Sequence, residues 1–260
     1  MYATERQQQI ETLIAADGRV AVVELARRFG VTTETVRRDL DQLEASGLLQ
    51  RVHGGAIART RMSTAEPSLA ERSTRRSDAK LAIATRALDA VPAGFTGSVY
   101  LDAGTTTAAL AGLLALRAPG SAPMEVVTHS MTIAHLLAGA MGLGLTAIGG
   151  RVRGLTAAAV GAQTVDAISR LRPDVAFVGT NGVSAGFGLS TPDPDEAAVK
   201  RAIIAAARRV IVVADADKLD AELLVSFGSA SDVDILVTDR SPAEPLAMAL
   251  ADADAEVWLA

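Results

Sequence analysis

Residues 22–58, VVELARRFGVTTETVRRDLDQLEASGLLQRVHGGAIA, constrain this chain more than any other stretch. Apolar side chains at Val22, Leu25, Ala26 and Phe29 recur at helical spacing and predict a helix over 22–29. Gly30 follows, and glycine enters the left-handed conformation that ends a helix at little cost. Thr32 is a candidate N-cap for a further helix over 33–46, with Gly47 as its stop. On that helix Val36, Leu40 and Leu43 face a core, Glu34, Arg38 and Asp41 take the opposite face, and Thr35 and Arg37 flank it. Upstream, Ile10, Leu13 and Ile14 predict a helix over 4–16 closed by Asp17-Gly18. Downstream, residues 48–57 read as strand, turn, strand.

That order of elements is a helix–turn–helix followed by a wing. It sets the N-terminal half of the last helix against base edges in a DNA major groove. Arginine can grip guanine through two hydrogen bonds, and threonine can meet a base edge or a phosphate. Thr33, Thr35, Arg37 and Arg38 are therefore the candidate base-facing residues. Arg51 and His53 on the wing are candidates for phosphate contact, which sets register and most salt-dependent affinity. Arg37 and Arg38 beside Asp39 and Asp41 would also suit a solvated face. The complete ordered set, with a basic wing at the right distance, favours the DNA reading. The segment resembles the DNA-binding head of the DeoR family of bacterial transcriptional regulators. Residues 36–40 (VRRDL) and 51–56 (RVHGGA) match that family's recognition helix and wing. The resemblance implies double-stranded operator DNA as a partner.

The chain has 260 residues, room for one small and one medium domain. It has no cysteine, which removes disulfides, thiolate chemistry and cysteine-held zinc. Neither an apolar signal region nor a run long enough to span a bilayer is visible, so a cytoplasmic protein without membrane attachment is expected. The net charge of −5 conceals an uneven distribution. Residues 1–80 hold 13 Arg and Lys against 11 Asp and Glu, and residues 81–260 hold 12 against 19. A head so weakly basic makes few phosphate contacts alone, so a homo-oligomer, dimer or tetramer, is expected to bind operator. Lysine is scarce: Lys80, Lys200 and Lys218 stand against 22 arginines.

Residues 59–76 are polar and irregular and read as a linker between a head at 1–58 and a second domain at 77–260. Ser77 or Asp78 is a candidate cap for a helix over 78–90. Beyond it, short apolar strands alternate with helical stretches. Strands are expected at 98–102, 124–128, 143–150, 174–180, 209–215 and 234–239, with a short edge strand at 257–259. Helices are expected at 105–116, 131–140, 193–209 and up to 170, the last after a loop over 151–161. Nearly continuous apolar strands are buried on both faces, which predicts a mainly parallel sheet covered by helices. Ligands bind such sheets beyond the C-terminal strand ends.

Polar and small residues gather at those ends. Asp102-Ala103-Gly104-Thr105-Thr106-Thr107 follows a strand and opens a helix, an anion site by its backbone N–H groups. It is neither a Walker A loop nor GxGxxG, so neither ATP nor a dinucleotide is indicated as cofactor. Thr128-His129-Ser130, Gly150 with Arg153, Thr191, the Glu196–Lys200 pair and Lys218 stand at other ends. A histidine at a strand end, as His129 is, can titrate near neutral pH. Each feature alone suits a plain cap, an ion pair or a structural histidine; together they suit a small phosphorylated polyol. The segments resemble the DeoR family's sensor domain, which is similar in fold to ribose-5-phosphate isomerase. Asp102–Thr106, Gly149-Gly150, Gly188–Thr191, Glu196–Arg201, Ala214-Asp215 and Lys218 carry that resemblance. It implies a sugar-phosphate effector, Gly104–Thr107 on the phosphate, Lys200 and Lys218 near it, and a regulator, usually a repressor. Alanine replaces the frequent serine at Ala103, and histidine the frequent asparagine at His129. No catalytic residue or metal site is assigned. The alternative is a sugar-phosphate isomerase with a DNA-binding head, for which Asp102, Asp215 and Asp217 are the available carboxylates.

Overall fold

The computed structural model describes residues 2–45, 49–58, 63–92, 94–116 and 123–260. The chain forms two units, residues 1–66 and 67–260.

The first unit opens with α1 (Ala3–Asp17), then β1 (Arg19–Ala21), α2 (Val22–Phe29), α3 (Thr33–Ala45), β2 (Leu49–Val52) and β3 (Gly55–Ala58). Gly18 and Gly30, both left-handed, end α1 and α2. The Thr32 hydroxyl accepts the Thr35 N–H at 3.2 Å and caps α3. The expected helix stop at Gly47 lies outside the described residues. The strands pair antiparallel in the order β1-β3-β2. β1 escaped the sequence reading because three residues carry no readable alternation. Ile10, Ile14, Val22, Leu25, Val36, Leu40, Leu43, Leu49 and Ala56 form one core. Gly55 is fixed by close approach: a Cβ there would sit 2.1 Å from the Val20 carbonyl oxygen of β1. Asp39, read as a surface residue, is buried and accepts two hydrogen bonds from Arg6 at 2.5 and 2.9 Å, tying α1 to α3.

The second unit begins with α4 (Leu69–Thr74) and α5 (Ser77–Ala87). Part of the expected irregular linker is thus helical. Ser68 and Glu71 form a reciprocal capping box that starts α4. Ser77 is the first helical residue of α5 and not its cap; Arg76, left-handed at φ 53°, holds that place. Next come β4 (Ser98–Leu101), α6 (Thr105–Ala115), β5 (Met124–Thr128), α7 (Met131–Leu137) and β6 (Leu143–Ala147). The expected loop over 151–161 holds an antiparallel pair, β7 (Arg151–Arg153) with β8 (Ala158–Val160). α8 (Ala162–Ser169), β9 (Val175–Gly179), β10 (Gly182–Ser184), β11 (Gly188–Thr191) and α9 (Pro194–Ala206) follow. The chain closes with β12 (Val210–Val213), β13 (Val225–Gly228), β14 (Ile235–Thr238), α10 (Glu244–Asp252) and β15 (Glu256–Leu259).

Seven strands form one parallel sheet in the order β15-β14-β12-β9-β4-β5-β6. Alternate strand residues point to opposite faces. Val99 and Leu101 of β4 join Ile83, Leu110 and Ile133 of α5, α6 and α7, whereas Tyr100 joins Ile168, Ile203 and Leu250 of α8, α9 and α10. Helices therefore cover both faces. A small antiparallel sheet, β10-β11-β13, which the sequence reading did not anticipate, packs through Leu189 and Phe227 into the second of these cores. From β4 the chain winds outward to β6, then returns to the other side of β4 and winds through β9 to β15. The winding reverses between β4 and β9, where the crevice of an open parallel sheet forms.

Candidate functional site

On α3, Val36, Leu40 and Leu43 are buried while Thr33, Arg37 and Arg38 are exposed and Thr35 is half-buried. Arg37 is paired with Glu34 at 3.5 Å, both side chains more than half exposed, so a phosphate or base could displace the pair at small cost. His53 and Gly54 turn the exposed wing tip. Arg51 differs from the sequence expectation of a phosphate contact. Its guanidinium donates to the Asp41 carboxylate, to the Arg37 carbonyl at 3.1 Å and to the Gly55 carbonyl at 3.3 Å. It fastens the wing to α3.

A cavity of the second unit opens at the crevice between β4 and β9. Ala103 to Thr107 after β4, Gly179 to Asn181 after β9, and Val213 to Asp215 with Lys218 after β12 line it. Glu196 and Lys200 of α9, and Pro67, Arg72, Arg75 and Lys80 from the α4–α5 segment, complete the wall. All three lysines of the chain are there. The Lys200 ammonium donates to Asp102 Oδ2 and to the Gly179 carbonyl at 2.8 Å, and the same carboxylate oxygen accepts the Gly179 N–H at 2.8 Å. Lys80 donates to the carbonyls of Arg72 and Arg75. The Lys218 ammonium has no hydrogen-bond acceptor among the described residues, and burial lowers its pKa below the ordinary lysine value. No side chain caps α6, so its first-turn N–H groups stay open to an anion.

Of the residues singled out in the sequence, Gly104, Thr105, Thr106, Thr107, Glu196, Lys200 and Lys218 line this cavity. The Thr107 hydroxyl is turned to its own backbone, donating to the carbonyls of Asp102 at 2.7 Å and Gly104 at 3.0 Å. Glu196 is held by Arg153 at 3.1 Å and by the Thr156 hydroxyl at 2.5 Å. The other residues expected to bind the effector, Asp102, Thr128, His129, Ser130, Gly150, Arg153 and Thr191, lie off the wall, whereas Asp215, expected only as a carboxylate, is on it. Thr128 donates to the Leu101 carbonyl at 2.7 Å, Ser130 caps α7, and Thr191 donates to Asn181 at 3.1 Å. Gly150 permits close packing, since a Cβ would fall 2.0 Å from the Thr164 hydroxyl. Arg153 bridges Asp193 and Glu196 behind the wall.

His129 is enclosed between Tyr100 and Asp102. The Tyr100 hydroxyl shares a hydrogen bond with His129 Nδ1 at 3.1 Å, and burial, then the Asp102 charge, raise the phenol pKa well above its ordinary value. The other ring nitrogen, Nε2, faces Asp102 Oδ1 at 3.6 Å. That oxygen has no hydrogen-bond partner. Burial lowers the imidazole pKa to about 4, so it does not titrate near neutrality. The sequence reading missed Arg72, Arg75, Lys80, Thr180 and Asn181 on the wall. Lysine scarcity was the one signal able to find Lys80; the arginines sat in what looked like linker. Among the described residues no group of His, Asp and Glu is placed to hold a metal ion, and no helix is long and apolar enough to cross a membrane.

Residues 75–240 match the DeoR C terminal sensor domain, and residues 6–62 match the DeoR-like helix-turn-helix domain. The chain belongs to the DeoR family. It is a DNA-binding transcriptional regulator. This DeoR-family chain is 35% identical to the HTH-type transcriptional regulator GlpR of Haloferax volcanii, covering 92% of this chain and 91% of the relative. It is 31% identical to the glycerol-3-phosphate regulon repressor of Escherichia coli K12, covering 97% of each. The HTH-type transcriptional repressor CsqR of the same strain is 30% identical over 98% of this chain and 94% of its own length. Among solved structures, ribose 5-phosphate isomerase A of Methanocaldococcus jannaschii is 18% identical with TM-score 0.40, covering 55% of the DeoR-family chain and 54% of its own. The sorbitol operon regulator SorC of Klebsiella pneumoniae is 14% identical with TM-score 0.41, covering 88% and 94%. Likeness at that level says nothing of ligand or assembly.

Proposed function

We propose that this regulator represses a carbohydrate operon and that a phosphorylated sugar in the β4–β9 cavity sets its grip on operator DNA. The observation that carries the reading is the meeting of every lysine of the chain, two arginines and the open N-terminus of α6 in one cavity. Such a wall suits a phosphate, and the neutral hydroxyls of Thr105 and Thr106 and the amide of Asn181 suit a polyol. The names of relatives point the same way, one of them a glycerol-3-phosphate regulon repressor. Asp102 supports Lys200 from behind. In the head, Thr33, Thr35, Arg37 and Arg38 read the major groove and His53 meets phosphate, while Arg51 orients the wing. A homo-oligomer, dimer or tetramer, presents paired heads to paired half-sites. The protein binds its sugar phosphate without turning it over and works in the cytoplasm.

Fluorescence anisotropy with DNA from upstream of its own operon tests this. We expect sequence-specific, salt-sensitive binding that the Arg37→Ala/Arg38→Ala double variant loses at least about 30-fold, two base contacts being worth ~1–3 kcal/mol each. We expect one sugar phosphate to shift the wild-type curve. A double variant that binds as wild type, or operator binding indifferent to every sugar phosphate tried, would refute the proposal.

A further inference from the structure

Arg72 lies in α4, near the start of the second unit, and lines the cavity. Its Nε is buried and has no hydrogen-bond partner among the described residues. A buried guanidinium donor without an acceptor is costly and uncommon, and here it belongs to a side chain on a cavity wall. Lys218, on the same wall, is the second cation without an acceptor among the described residues. The other cations there are engaged: Arg75 pairs with Asp217 at 2.7 Å, Lys200 with Asp102, and Lys80 with two carbonyls. The segment bearing Arg72 is fastened at its C-terminal end. Lys80 holds the Arg72 and Arg75 carbonyls, and Arg76, left-handed at φ 53°, pairs with Asp217 at 2.9 Å and with Asp239.

We propose that Arg72 and Lys218 form the cationic subsite that grips the anionic group of the ligand, and that α4 reports occupancy to the head through Arg72. The inference rests on the cavity being the effector site. It adds a contact residue from the stretch that joins the two units along the chain: α4 begins three residues after Glu66, where the first unit ends. An anion drawn onto Arg72 holds α4 against the cavity wall. Without it, α4 keeps its packing on α6 and the Lys80, Arg75 and Arg76 contacts at its C-terminal end.

The test uses the full chain, with sn-glycerol 3-phosphate, fructose 1-phosphate, fructose 6-phosphate and inorganic phosphate titrated by calorimetry. For the probe that wild type binds, Arg72→Gln should weaken affinity by about 10- to 100-fold, the scale of one lost charge-assisted hydrogen-bond pair. Arg75→Gln, which removes a cation already paired with Asp217, should weaken it less than about 3-fold. The melting temperature of each unliganded variant reports the fold. If Arg72→Gln melts early, Arg72→Lys keeps the charge, loses the fork, and should fall between wild type and the Gln variant. The probe should also shift operator anisotropy for wild type and lose that effect in Arg72→Gln at the same probe concentration. Wild-type affinity in Arg72→Gln, or equal losses in Arg72→Gln and Arg75→Gln, overturns the inference and leaves the effector site standing. Failure of wild type to bind any of the probes, with no operator response, overturns both.

Discussion

Lys200 carries its charge into a place with almost no water, and two of its three N–H bonds are spoken for by Asp102 and the Gly179 carbonyl. Removing one partner of such a pair strands the other. Lys200→Met should cost about 3–5 kcal/mol in urea unfolding, and adding Asp102→Asn should recover part of that. Simple additivity of the two losses would show that the residues do not act as a pair. His129 gives a pH signature. Its folded pKa, about 4, lies below the 6.5 of an unfolded histidine, so the unfolded chain takes up the extra proton. Stability from this group is full above about pH 6.5, declines as the pH falls toward 4, and levels off below; the whole effect is about 3 kcal/mol. His129→Gln should flatten that limb in urea midpoints measured from pH 7 to pH 4. An unchanged slope would assign the acid sensitivity elsewhere. The sequence placed His129 at a strand end, which is correct, but a strand end can open to a cavity or close beneath one. Burial by Tyr100 and Asp102 decides between them, and no local pattern announces it.

At the scale of elements, legibility followed length and periodicity. α2, α3 and the β4–β5 strands were readable because amphipathic or unbroken apolar runs admit few alternatives. The β7–β8 pair and the β10-β11-β13 sheet were not, since glycine, serine or arginine interrupts most of these short strands and they are made by their neighbours rather than by their own sequence. α4 was lost for a different reason: a six-residue polar helix carries no face, and only its Ser68–Glu71 box could have marked it. β3 packs closely on β1, backbone against backbone. Gly55→Ala would drive a methyl into the Val20 carbonyl, and no flexible group is there to give way. We expect a loss of about 1–3 kcal/mol, the usual cost of overpacking, and faster amide exchange across β1 and β3. Retained exchange protection would show that the hairpin can shift to make room.

Taken whole, the molecule has two units with separate cores. Differential scanning calorimetry of the full chain should resolve two transitions, and a sugar phosphate at 100 times its Kd should stabilise only one, by ~2.7 kcal/mol. A ligand that moved both transitions equally would mean that the units unfold as one. The division between them was legible as a change from helical spacing to alternating strands and helices. Its exact place was not, because the arginines of 72–76 look the same in a linker as on a wall.

Every side-chain amine of this protein stands on the same cavity wall. An acylating reagent, ordinarily indiscriminate, becomes site-directed here by composition alone. Lys218, half-exposed and with its basicity lowered, should be modified before Lys80 and Lys200, which are buried and hydrogen-bonded. Mass spectrometry of the acylated peptides would then footprint occupancy of the cavity, with no engineered label.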